Sequence, residues 1–271
     1  MSDKLLAGRR GLIMGVANDH SIAWGIANTL AAYGAELAFT YQGESFGRRV
    51  KPLAESVGAD IVLPCDVEDI QTVDKVFEEL GKAWPSLDFV VHALAFSDRS
   101  ELKGYYADTS RENFVRTMVI SCFSFTEIAK RATRMMGEGG SLLTLTYAGS
   151  TQVMPNYNVM GVAKAGLEAS VRYLAADYGP HGIRVNAISA GPVRTLAGAG
   201  ITDARLMYNY HKQHAPLRRA TTIDDVGGAA LYLTSPLSAG VTGEVHFVDS
   251  GYHIISMPRP EEVSEVTAND D

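Results

Sequence analysis

Seven apolar, β-rich runs recur along the chain with helical stretches between most of them, and this alternation restricts the fold more than any other feature. The runs are LIMGV (12–16), ELAFTY (36–41), IVLPCDV (61–67), FVVHALAF (89–96), SLLTLTY (141–147), RVNAISAG (184–191) and EVHFVDSG (244–251). They are nearly continuous rather than alternating, as strands covered on both faces must be. Between them, stretches such as SIAWGIANTLAAYG (21–34) have a 3.6-residue period, with Ile22, Ile26, Thr29 and Leu30 on one stripe and Gly34 as a C-terminal stop. The pattern predicts a single-domain α/β fold with a Rossmann-like, doubly wound parallel sheet of seven strands. Right-handed crossovers would leave a ligand crevice at the carboxyl ends of the strands.

Composition narrows the function classes. Of 271 residues, 46% are apolar and 20% charged, enough for one large core and too hydrophobic for a disordered chain. The balance of 24 basic against 31 acidic residues gives −7, which argues against nucleic acid or an anionic membrane as the main partner. Cys65 and Cys122 lie far apart and suggest neither a disulfide framework nor a metal site, consistent with a reducing compartment. The stretch Met1–Arg10 lacks the apolar core of a signal peptide, and no window approaches the ~18 apolar residues of a membrane span, so the expected location is cytoplasmic. The expected organisation is one dinucleotide-binding domain over 1–257, a lid-like segment near 194–219 and a loose acidic tail at 258–271.

The turn GVANDHSIAWG joins the first strand to the first helix, where a dinucleotide pyrophosphate rests on a helix N-terminus. It lacks the usual G-x-G-x-x-G spacing, so Gly15, Ser21 and Ile22 are equally compatible with an ordinary βα turn in which Ser21 is an N-cap. The second strand ends in Tyr41-Gln42-Gly43-Glu44, where such sheets read the adenosine ribose. Gln42 is neutral and Glu44 would repel a 2′-phosphate, which favours NADH over NADPH, although Arg48 and Arg49 lie one helical turn further on. Asp66 ends the third strand, where its carboxylate can accept from an adenine amino group or cap the next helix.

After the fifth strand comes Thr146-Tyr147, then Pro155-Asn156-Tyr157 through Lys164. A helix beginning near Tyr157 places Tyr157 and Lys164 almost two turns apart on one face. A phenol with an ordinary pKa of about 10 is a neutral donor at pH 7, and an ammonium beside it stabilises developing negative charge. The pair therefore suits a reaction that generates an oxyanion.

These residues resemble the short-chain dehydrogenase/reductases, whose active helix carries Tyr-x-x-x-Lys. Here Met160 stands four residues before Lys164, and the tyrosine has moved a turn upstream to give Tyr-x6-Lys. That spacing, Tyr147 ten residues earlier, the Gly15–Ala23 turn, and the segments PNYNVMG-AK, RVNAISAGPVRTLA and SAGVTGEVHFVDSG resemble NADH-dependent enoyl-acyl-carrier-protein reductases over about residues 10–257. The resemblance implies reduction of the trans-2 double bond of enoyl thioesters in fatty-acid elongation, with NADH as cofactor, an acyl-carrier-protein substrate and a homotetramer. It implies that Tyr157 hydrogen-bonds the enolate oxygen, Lys164 the nicotinamide ribose, and Tyr147 lines the acyl pocket. It places Gly15, Ser21, Ile22, Gln42, Asp66, Val67, Leu94, Val193 and Thr195 against the cofactor, and Ala95 beside the nicotinamide on the substrate side.

By the same resemblance the Ala- and Gly-rich stretch from Thr195, followed by Leu206, Met207 and Tyr208, is a substrate-covering loop. Its basic residues, Arg205 and Lys212 with Arg218 and Arg219 beyond, make a thin patch for an acidic carrier protein. His211 and His214 are expected to face solvent rather than a metal, and His92 to be a satisfied core histidine. The competing readings are a short-chain reductase of ketones or 3-oxoacyl thioesters, which Met160 opposes, and a non-catalytic nucleotide sensor.

Overall fold

A computed structural model of the chain describes residues 4–137, 139–195 and 204–257. The expected tail at 258–271 and the Ala/Gly-rich part of the lid, 196–203, lie outside the described residues. Strands β1 (Arg10–Met14), β2 (Glu36–Tyr41), β3 (Ile61–Pro64), β4 (Phe89–His92), β5 (Gly140–Thr146), β6 (Ile183–Ala190) and β7 (Val245–Val248) form one sheet in the order β3-β2-β1-β4-β5-β6-β7. Every pairing is parallel. The helices are α1 (Ile22–Ala32), α2 (Gly43–Ser56), α3 (Ile70–Ala83), α4 (Arg111–Met118), α5 (Ser124–Ala132), α6 (Asn158–Tyr178), α7 (Ala204–His214) and α8 (Ile223–Thr234).

The continuous apolar runs arise because alternate residues of each strand feed two different cores. Leu12, Met14, Val90 and Leu142 point to one layer with Val76, Leu80, Phe125, Leu167 and Val171. Ile13, Phe39, Val91, Leu143 and Ile188 point to the other, with Ile26, Leu30, Val50, Val226 and Leu233. A strand buried on both faces has no polar period to display. At α8 the N-terminal signal is complete: Thr222 Oγ1 accepts from the Asp225 amide while the Asp225 carboxylate accepts from the Thr222 amide.

Several strands are shorter than their apolar runs. β3 stops at Pro64 and β4 at His92, so Cys65-Asp66-Val67 and Ala93–Phe96 leave the sheet as loops at its carboxyl edge. There they become cleft wall rather than strand. β1 is flanked by β2 on one side and β4 on the other, which makes the β1/β4 boundary the point where the winding reverses and a crevice opens.

Candidate active site

Two cavities flank the turn that leaves β1. Gly15, Val16 and Ala17 line one, of about 450 Å³, together with Gln42, Asp66, Val67, Leu94 and Ala95. Asn18, His20 and Ile22 line the other, of about 680 Å³, with Thr146, Tyr147, Tyr157, Val193, Thr195 and Tyr208. Ala95, expected on the substrate side, thus shares a wall with Gln42 and Asp66, the residues expected to read adenosine.

The turn between them needs a glycine. Gly15 has φ +102°, and a Cβ there would lie 2.1 Å from the Ala93 carbonyl oxygen across the crevice. Ser21 occupies the N-cap position of α1, but its side chain makes no bond to the helix. Its Oγ instead accepts from the amides of Ala17 and Asn18, each at 3.0 Å, and so shapes the loop ahead of it. The first amides of α1 then keep the unsatisfied positive end that an anion seeks. Across the smaller cavity the Gln42 amide donates to the Asp66 carboxylate at 3.0 Å. Asp66 does not cap α3, a role taken by Asp69. Arg48 and Arg49 are exposed on α2. This donor and acceptor set fits a dinucleotide: a glycine-tight turn and helix end for pyrophosphate, a neutral amide beside a carboxylate for adenosine.

The larger cavity is backed by buried ionisable side chains. Tyr157 is the N-cap of α6, flanked by Asn156 at φ 56° and Asn158 at φ 31°. Asparagine tolerates this left-handed region better than most residues, and the two together turn the chain sharply around the phenol. The Tyr157 ring packs edge-on to Tyr147 with centroids 5.2 Å apart. Gly149 permits that fit, since a Cβ there would meet the Tyr157 ring at 2.5 Å. Lys164 is buried, and its Nζ donates to the Leu145 carbonyl at 2.8 Å, leaving two of its three donors for other acceptors. Tyr157 and Lys164 therefore converge on the carboxyl end of β5, as their spacing predicts.

Burial sets the protonation states. Desolvation, then Tyr147 and Glu168, raises the Tyr157 phenol far above its ordinary range. Desolvation pushes Tyr147 up to about 12. Lys164 moves the other way, down to about 8, because burial disfavours its charge more than Cys122 and Glu168 support it. At pH 7 the site holds two neutral phenols and an ammonium, a donor set for an oxygen that becomes negative.

Three features escape a reading of the chain alone. Glu168, on the same helix as Lys164, is only 7% exposed and accepts from Thr146 Oγ1 at 2.7 Å. Arg116 forms a two-pronged pair with Glu68, at 2.8 Å on each prong, and stacks 4.4 Å from the Phe96 ring at the edge of the smaller cavity. His211, expected to face solvent, is 3% exposed and packs 4.8 Å from the Tyr252 ring. It is buried because α7 folds back onto the ends of β6 and β7, where a Cβ on Gly191 would touch both His211 and Asp249. His92 is fully buried between Thr144 Oγ1 at 3.0 Å and Ser124 Oγ at 2.8 Å, the satisfied core residue that was expected.

Residues 15–253 match the family described as Enoyl-(Acyl carrier protein) reductase. An enoyl-[acyl-carrier-protein] reductase [NADH] 2 of Rhizobium meliloti is 72% identical over 95% of this chain and 96% of its own length. The FabI crystal structure from Candidatus Liberibacter asiaticus superimposes with a TM-score of 0.93 at 58% identity, covering 94% of this chain and 99% of that one. An enoyl-(acyl-carrier-protein) reductase of Anaplasma phagocytophilum, solved in complex with NAD, gives 0.91 at 59% identity over 94% of this chain and 97% of that one. On the evidence of its doubly wound sheet, the buried tyrosine and lysine beneath the cleft, and these likenesses, the chain belongs to the enoyl-acyl-carrier-protein reductase family.

Proposed function

We propose that this chain reduces the trans-2 double bond of enoyl thioesters presented on acyl carrier protein, with NADH as reductant. The observation that carries the reading is the buried Tyr157–Lys164 pair at the end of β5, with Met160 in place of a phenol four residues before the lysine. Met160 instead lies in an apolar cluster with Leu102 and Val159. A carbonyl reductase needs its proton donor at the carbon that receives hydride. In an enoyl thioester the charge appears on the thioester oxygen further along, and a tyrosine one turn upstream suits that position.

When bound, NADH supplies the hydride that adds to the β-carbon. Tyr157 donates a hydrogen bond to the thioester oxygen as it becomes negative, and its raised pKa keeps the proton in place as a donor. Lys164 donates to the nicotinamide ribose and adds positive potential beneath the same oxygen. Tyr147 walls the acyl cavity edge-on to Tyr157 and helps exclude water. A proton taken up from solvent at the α-carbon, added to the hydride at the β-carbon, completes the saturated thioester. Gly15, Ser21 and Ile22 shape the pyrophosphate turn, Gln42, Asp66 and Val67 hold the adenosine, and Leu94, Ala95, Val193 and Thr195 line the path of the cofactor. Neutral Gln42 and the acidic Glu44 favour NADH over NADPH, against the exposed Arg48 and Arg49 one helical turn further on, and a kcat/KM comparison of the two cofactors decides between them.

The basic residues on and after α7, Arg205, Lys212 and Arg218, are exposed and form the surface for an acidic carrier protein. Arg218 also donates to the Gln213 carbonyl, and Arg219 pairs with Asp225. A homotetramer accords with the exposed Phe247, Ile254 and Met257 near the carboxyl-terminal strand, and sedimentation equilibrium tests it. No helix among the described residues is long and apolar enough to cross a membrane.

The deciding experiment incubates the pure protein with NADH and a crotonyl thioester, then with NADH and an acetoacetyl thioester. Oxidation of NADH by the first is expected. Oxidation by the second alone would overturn the assignment in favour of a ketone-type reductase, and oxidation by neither would leave a nucleotide sensor.

A further inference from the structure

Lys164 has an ammonium inside the protein, held directly by a single backbone carbonyl. Burial alone favours loss of its proton, so something nearby must oppose that. The ionisable groups around it come from each element packed on it. From β4 comes His92, whose imidazole is pushed down to about 3 by burial and by Lys164 itself, and so is neutral. From the π-helical segment Val119–Phe123 comes Cys122, the first neighbour placed to favour the Lys164 charge, but burial pushes its thiol up and keeps it uncharged at neutral pH. Tyr157, at the start of α6, is held as a phenol. The remaining group is Glu168.

Glu168 stands one helical turn beyond Lys164 on α6, and both side chains are buried. Consecutive residues of β5 hold the two: the Leu145 carbonyl accepts from Lys164, and the Thr146 hydroxyl donates to Glu168 at 2.7 Å. Thr146 also lines the larger cavity. Two ionisable side chains are thus fixed a turn apart against the same strand end, next to the cavity that Thr146 lines.

We infer that Glu168 is a positioning residue for the reaction, the buried countercharge that keeps Lys164 an ammonium while it holds the nicotinamide ribose. This rests on the reading of Lys164 given above. Deprotonated Lys164 retains a lone pair and loses the positive potential beneath the reacting oxygen, so cofactor affinity and turnover both follow its protonation. Glu168 supports that protonation without touching substrate.

The test is Glu168→Gln, which keeps the size of the side chain and an oxygen to accept the Thr146 bond, and removes only the charge. The dissociation constant of NADH is read by nicotinamide fluorescence from about pH 5.5 to 9, beside kcat/KM for a crotonyl thioester over the same range. Wild-type affinity weakens as pH rises through about 8. In E168Q the midpoint moves to lower pH by about one unit or more, which weakens binding about threefold at pH 7.5 and restores it to nearly wild type at pH 6. Glu168→Asp, which keeps the charge, holds the wild-type midpoint. Should the glutamine variant not fold, Glu168→Leu replaces it, with the same shift required. Coincident profiles for wild type and the neutral variant would overturn the proposal, since a purely structural tie to Thr146 survives in glutamine. Lys164→Met separates the two levels: wild-type NADH affinity in that variant overturns the reading of Lys164 itself. Weakened affinity there with an unmoved E168Q profile overturns only the role of Glu168.

Discussion

The two ends of the cleft are built on different principles. At the end formed by β1, β2 and β3, the proposed cofactor recognition rests on backbone shape: a turn around Gly15, a loop drawn together by Ser21, and the first amides of α1. Its named side chains, Gln42 and Asp66, lie toward solvent and bond to one another. At the end formed by β5 and α6, the proposed chemistry rests on side chains removed from water: Tyr157, Lys164 and Glu168 are each less than 9% exposed. Burial there is the chemical device, since it holds the phenol protonated and makes the ammonium dependent on its neighbours. The contrast teaches that a cofactor can be held by geometry open to water, whereas developing charge is stabilised by groups that water cannot screen.

If that contrast holds, substitutions at the two ends fail in different ways. The largest effect is expected from Lys164→Met, a fall of about 10³-fold in kcat/KM, since it removes the proposed ribose donor and, among the described residues, the one ammonium at the reacting end. Steady-state assays with a crotonyl thioester check it, and a loss below tenfold would break the distinction. Behind the same end, His92 has a folded pKa of about 3, below its ordinary 6.5. The unfolded chain takes up that proton first, so the stability this group contributes is complete above about pH 6.5 and is lost as pH falls toward 3, by several kcal/mol. Urea unfolding at stepped pH should show this slope, and His92→Gln should flatten it. At the other end, Gly15→Ala is expected to destabilise by about 2 to 3 kcal/mol and to abolish tight NADH binding, because the new methyl meets the Ala93 carbonyl at a positive φ. The smallest effect is Asp66→Asn, which removes one partly exposed acceptor. It should raise the KM for NADH by up to about tenfold and leave kcat unchanged.

The fold was legible because parallel strands covered on both sides must read as apolar runs, and all seven fall where those runs lie. What the runs concealed was where strand ends and cleft wall begins: Asp66 and Leu94 look like strand ends by composition, yet they leave the sheet to line the cleft. Tyr157 and Lys164 were legible from their spacing and their place after the fifth strand. Glu168 was not, since an acid on a long helix ordinarily marks the solvated face. Only the Thr146 bond and the packing around α6 show that it points inward. His211 misled for the same reason: polar neighbours such as Lys212 and Gln213 suggest an exposed helix, while the docking of α7 beneath Tyr252 is a tertiary fact. Residues 196–203 of the expected covering loop lie outside the described residues; on either side of them, Arg194 stacks 4.3 Å from the Tyr208 ring of α7.

The central claim is that a buried phenol, held protonated, steadies the oxygen that becomes negative when the double bond takes hydride. Tyr157→Phe removes that hydroxyl and nothing else, and its turnover of a saturating crotonyl thioester, measured beside its dissociation constant for NADH, addresses the claim most directly. The account predicts a fall in kcat of about 10²- to 10³-fold, roughly 2.7 to 4 kcal/mol, with NADH affinity within twofold of wild type. Wild-type turnover in the phenylalanine variant would contradict it.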